Sequence, residues 1–99
     1  MEQPFLILTK DTTREMIEKE SIVYVTVLDK YIQLKLIDSR TLRVRMSLRQ
    51  FEKHLPPNLF LRIHKRYIVC ICHIRFVDID VTMKTGDELP LSKELRTHF

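Results

Sequence analysis

Glycine is nearly missing from this chain, with Gly86 the single one among 99 residues. Phosphate-cradling loops and dinucleotide-binding turns need several glycines at fixed offsets, so both are excluded. Low-complexity tracts and internal repeats are absent as well. No apolar run approaches the length needed to cross a bilayer; the longest are Phe5 to Leu8 and Tyr67 to Ile74. The opening Met1-Glu2-Gln3-Pro4 has no basic start followed by a hydrophobic stretch, so no signal peptide is expected. Cytoplasm is the expected compartment, and no membrane partner is expected.

Cysteine is scarce too. Cys70 and Cys72 lie two apart in what reads as a strand, which puts both side chains along one strand face, a poor arrangement for a disulfide. With His73 they form the one group that suggests metal ligands. Nothing supplies a second ligand cluster at the usual spacing, so no metal is expected and the pair is read as two small buried residues. Catalytic patterns are missing in the same way. Histidines 54, 64, 73 and 98 sit in no nucleophile or metal motif. Asp78 and Asp80 read as the solvated side of an amphipathic strand. No enzyme, cofactor or small-molecule substrate is expected.

What is present is an apolar content of 44%, enough for a core, and an uneven charge. A single domain over residues 1–99 is expected. The net charge is +4, but residues 41–66 hold seven basic residues and one acid, a local +6. Charge concentrated in this way is the electrostatic footprint of a nucleic-acid or anionic-membrane binder, against the plainer reading of an ordinary solvated basic face.

Period two dominates the chain. Phe5 to Thr9 reads as a strand, Lys10 to Thr13 as a turn, and Arg14 to Ile17 as a segment pairing back or forming a weak helical turn. Ile22 to Val27 is strand-rich in Val, Ile, Thr and Tyr. Beyond the turn at Leu28-Asp29-Lys30, Ile32, Leu34 and Leu36 alternate with polar neighbours. After a turn at Asp38-Ser39-Arg40, Leu42, Val44, Met46 and Leu48 alternate with Arg43, Arg45 and Ser47. Ser47 with Gln50 three residues on forms a capping box, and Leu48, Phe51 and Leu55 follow at helical spacing until Pro56-Pro57. Leu61 and Ile63 then alternate, and Tyr67 to Ile71 is a continuous apolar run, as in a strand covered on both faces. Val77, Ile79, Val81 and Met83 alternate again. Gly86 supplies a turn, Glu88 to Leu91 returns as a strand, and Ser92 caps a short C-terminal turn. The expected fold is mainly β: an elongated arrangement of short antiparallel sheets with one small helix, about residues 48–55.

Between Phe60 and Val69 the chain places Arg62, His64, Lys65 and Arg66 among apolar anchors. Rigid strands can present such a basic loop to a DNA groove, where lysine and arginine neutralise phosphates or read guanine edges. This segment resembles the F-x-R-I-H-(R or K)-x-Y-I-V signature of the LytTR family, the β-rich DNA-binding output domain of many bacterial response regulators in two-component systems. Ile22-Val23-Tyr24 with Tyr31, Ser47-Leu48 with the Phe51 to Leu55 helix, and Gly86 to Lys93 are similar to further motifs of that family, in order, from about Phe5 onward.

The resemblance implies sequence-specific binding of double-stranded DNA by a transcriptional regulator, with loops inserted in successive major grooves and two copies on paired half-sites. It implies three contact regions: Lys30 and Tyr31; Lys65 and Arg66, with Arg62 partly structural and contacting phosphate; and Ser92, Lys93 and Arg96. The chain departs from the family pattern at Arg66, often small and polar, at Cys70, commonly asparagine, and at Glu94, where a basic residue is frequent. No receiver domain accompanies these 99 residues, which implies either a stand-alone regulator or an output domain trimmed from a longer one. A protein-interaction module docking an acidic partner through its basic face is the competing reading. Single-stranded nucleic acid ranks last, since Tyr31 and Tyr67 are the only aromatic platforms near the basic block.

Overall fold

The computed structural model describes residues 5–10 and 13–98. The middle of the expected Lys10–Thr13 turn therefore lies outside the described residues. The first hairpin pairs β1 (Phe5–Lys10) with β2 (Thr13–Glu18), so Arg14 to Ile17 is strand and not a helical turn. A 3-10 turn at Lys19–Ser21 leads into the five-stranded sheet. That sheet has spatial order β5-β4-β3-β7-β6, from β3 (Ile22–Leu28), β4 (Tyr31–Leu36), β5 (Thr41–Val44), β6 (Phe60–His64) and β7 (Tyr67–Cys70). Helix α1 (Leu48–Glu52) connects β5 to β6. A third sheet orders β8 (Ile74–Val77), β9 (Asp80–Met83) and β10 (Glu88–Pro90) as β10-β9-β8. All pairings are antiparallel. With extents of 43 × 28 × 27 Å, the molecule is elongated.

Two apolar clusters explain why β3 and β7 are the most hydrophobic strands. Ile22, Val25, Ile68 and Cys70 face one cluster, completed by Ile32, Leu34 and Leu36 of β4 and by Leu48 and Phe51 of α1. Val23 and Val69 face the other, completed by Val81, Met83, Leu89 and Leu91 around the third sheet. Strands covered on both faces need apolar residues at consecutive positions, while β4, covered on one face, alternates. Fully burying each of these aliphatic side chains stabilises the fold by about 1.5–3 kcal/mol.

Helix α1 begins as its capping box dictates. Gln50 N donates to Ser47 Oγ at 3.0 Å, and Ser47 N donates to Gln50 Oε1 at 3.1 Å. Its end differs from expectation. The α-helix stops at Glu52, and His54 and Leu55 continue with tighter i→i+3 bonds that still bury Leu55 before the two prolines.

Three further expectations are corrected. The alternation from Leu42 to Leu48 is not one strand: β5 ends at Val44, the chain bends at Arg45-Met46, and Leu48 already belongs to α1. Likewise Val77 to Met83 is folded by a turn at Asp78-Ile79, so Asp78 and Asp80 share no strand face and Ile79 is 64% exposed. Lastly, Ile71–His73 forms a 3-10 turn, so the two cysteines are not on one strand; Cys70 is buried and Cys72 exposed.

Candidate nucleic-acid interface

The first basic turn is Asp29-Lys30, closed by the Leu28–Tyr31 pair of β3 and β4. Asp29 adopts φ 56°, a left-handed conformation that a short polar side chain tolerates. Lys30 is exposed, and Tyr31 is 42% exposed.

The second is Lys65-Arg66 between β6 and β7, where His64 pairs with Tyr67 after a register shift at Arg62. Four polar contacts define its shape. Arg66 N donates to His64 Nδ1 at 3.2 Å. Arg62 donates through Nη2 to Lys65 O at 2.7 Å and through Nη1 to Glu52 Oε1 at 3.3 Å. Arg66 Nη2 donates to Val27 O at 3.1 Å, which ties this turn to the strand that carries Lys30.

The third region starts at Ser92, whose N–H donates to Ile63 O at 2.8 Å. Lys93 and Arg96 follow, exposed, on a 3-10 segment (Lys93–His98). The β6–β7 turn is thus bonded to the strand leading into the first region, and strand β6, which enters that turn, is bonded to the start of the third.

Lys30, Lys65, Arg62 and Arg49 line one open cleft with Asp29 and Val27. Among the described residues, Lys30, Lys65 and Lys93 make no salt bridge, and Glu52 is engaged by Arg62. Exposed cations that form no ion pair contribute to the positive potential that attracts a polyanion. By contrast Tyr67 is half-buried, with its ring 6.0 Å from His64 and 6.3 Å from Tyr24. Burial, then the Asp87 charge, pushes the Tyr24 hydroxyl above its ordinary range. Of the two proposed stacking platforms, only Tyr31 is exposed.

The structure brings Lys30, Arg62 and Lys65 together in one cleft, ties Arg66 to Val27 O and joins Ser92 N–H to Ile63 O of β6; among the described residues no side-chain bond or ion pair links Lys93 or Arg96 to the group. Arg49 was missed as a member. The signal for it was the capping box, which fixes the start of α1 two residues earlier and so aims Arg49 outward. Arg43 and Arg45 stay apart as exposed flanking charge, Arg43 donating to Gln33 Oε1 at 3.3 Å.

Comparison with known proteins agrees with this fold. A family model described as the LytTr DNA-binding domain matches residues 13–99. A solved structure described as the LytTr DNA-binding domain of a Bacillus cereus methyl-accepting/DNA response regulator shares the fold, with a TM-score of 0.83. The identity is 22%, over 98% of this chain and 94% of that one. No curated protein matches the chain.

Proposed function

This chain belongs to the LytTR family of DNA-binding domains, and on that premise we propose that it is a sequence-specific regulator of transcription in the bacterial cytoplasm. It binds double-stranded DNA with the three turns described above. The first and third enter successive major grooves, and the β6–β7 turn lies between them. The observation that carries this reading is the gathering in one cleft of two unpaired lysines from separate parts of the chain, Lys30 and Lys65, with the third region joined to β6 through Ser92 N–H and Ile63 O. The long axis of 43 Å exceeds the roughly 34 Å between successive major grooves, so one chain is long enough to reach both.

Division of labour follows from the contacts. Lys65 and Lys93 are free to meet phosphates or base edges. Arg62 is a positioning residue first, because Glu52 and Lys65 O hold both ends of its guanidinium; its remaining N–H groups are available to a phosphate. Arg49 adds a phosphate contact from α1. Two copies bind paired half-sites, as one operator motif repeated at about two helical turns, since each copy occupies two successive major grooves.

The test is selection of bound duplexes from random DNA, sequenced at two salt concentrations. An enriched motif that survives the higher salt is expected. A library returning no motif, beside tight binding to an acidic protein, would reassign the basic surface to protein docking.

A further inference from the structure

At the far end of β7 from Arg66 the chain passes from the five-stranded sheet to the three-stranded one through the turn Ile71–His73. A strand would hold Cys70 and Cys72 apart. This single 3-10 turn instead swings Cys72 back, so that its Sγ lies 3.2 Å from Cys70 Sγ. One ligand nitrogen of His73 lies within 4.8 Å of both sulfurs. We propose that Cys70, Cys72 and His73 form a binding site for one thiophilic cation, Zn(II) or Cu(I), held by two thiolates and an imidazole.

The donor set suits soft ions, since thiolate and imidazole select Zn and Cu(I) over the hard cations that prefer oxygen. Zn–S bonds of about 2.3 Å and Zn–N bonds of about 2.0 Å place tetrahedral ligand atoms roughly 3.5–3.8 Å apart. The two sulfurs need to open by about half an ångström to reach that spacing, a small rotation for the exposed Cys72 side chain. The imidazole nitrogen, within 4.8 Å of the sulfurs, needs to close by about 1.3 Å at most.

The surroundings supply what a metal-binding histidine requires. His73 Nε2 is hydrogen-bonded to Glu20 O at 2.5 Å. With that nitrogen donating, Nδ1 carries the free lone pair; ligating histidines are commonly oriented by such a bond to a backbone carbonyl. The turn is fixed on its other side by Lys84 N donating to His73 O at 2.7 Å. Cys70 is locked in the core. Two ligands are therefore preset by the fold, and Cys72, open to solvent, closes the site and gives the ion its way in. A fourth position is left for water, as in zinc sites with three protein ligands. Because the ion would span the crossing between two sheets, it would stabilise the native chain by mass action. The proposal is independent of DNA binding.

The experiment titrates the reduced full chain, without air, first with Co(II) and then with Zn(II). One Co(II) per chain is expected, with a sulfur-to-cobalt charge-transfer band that one equivalent of Zn(II) removes, and a Tm that rises with Zn(II). Cys72→Ser and His73→Gln should keep the circular dichroism of the fold. Each should weaken Co(II) binding by more than the roughly 10- to 100-fold that loss of an outer-shell partner costs. A missing charge-transfer band at stoichiometric cobalt, or a band unchanged by Cys72→Ser, would overturn the site. So would the loss of both thiols in air from a chain that takes up no metal when reduced, which would assign the pair to a disulfide.

Discussion

Two turns of this protein carry cationic side chains to the surface, and they treat the charge differently. At the β4–β5 connection Arg40 meets Glu15 at 2.7 Å and Asp38 at 2.9 Å. The Arg40 backbone N–H, and then its guanidinium, hold the Asp38 carboxyl below the usual carboxylate range. Its charge is matched locally. At the β6–β7 turn Lys65 makes no salt bridge among the described residues, and Glu52 pairs with Arg62 instead. A matched cation fastens β2 to a neighbouring turn; an unmatched one keeps a counterion atmosphere that DNA displaces. Positive charge alone does not distinguish these cases, whereas the accounting of partners does.

The largest break in that comparison is charge reversal at the unmatched turn. Lys65→Glu and Arg66→Glu should each weaken binding to the selected duplex by about an order of magnitude or more, with the fold unchanged by circular dichroism. Each adds a repelled charge where phosphates approach. A folded variant that binds normally would remove the turn from the interface.

A smaller effect is expected at Arg62. Lysine keeps the charge but loses the planar fork that holds Glu52 and Lys65 O together. Arg62→Lys should weaken binding about fivefold while leaving the salt slope unchanged, which separates loop positioning from phosphate contact. A slope lower by about one would make Arg62 a phosphate contact instead. Smallest for DNA is Ser47→Ala, which removes the cap of α1. Unfolding by urea should show a loss of about 1 kcal/mol, and the affinity should stay within about twofold.

Much of the β architecture was legible because burial writes itself into composition. β3 and β7 are apolar at consecutive positions since both faces are covered, and β4 alternates since one is. The start of α1 was legible from Ser47 and Gln50. Turns that preserve alternation were not. Asp78-Ile79 reverses the chain with neither glycine nor proline, and Val77 and Val81 remain on the buried side of their strands, so a hairpin reads as one strand. Arg45-Met46 hides the end of β5 in the same way. At the interface, the basic block pointed to Lys65 and Arg66, and the resemblance to the LytTR family pointed to Lys30 and Lys93. Their partners could not be read from spacing: Arg62 meets Glu52 ten residues away, and Arg66 meets Val27 thirty-nine residues away. The cysteine–histidine turn was hidden for a related reason, because its apolar neighbours prolong a strand-like run.

The most direct measurement compares the two turns at equal loss of charge. Affinities of the unaltered chain, Lys65→Gln and Arg40→Gln for one selected duplex are measured from about 50 to about 200 mM salt. If about four cations neutralise phosphates, the unaltered chain should lose roughly 100-fold across that range. Lys65→Gln should lower the slope of log affinity against log salt by about 0.9, the value of one released counterion, and Arg40→Gln should leave it unchanged. Equal slopes for the two variants would contradict the account, because the β6–β7 turn would then hold no place at the DNA that the β4–β5 turn lacks.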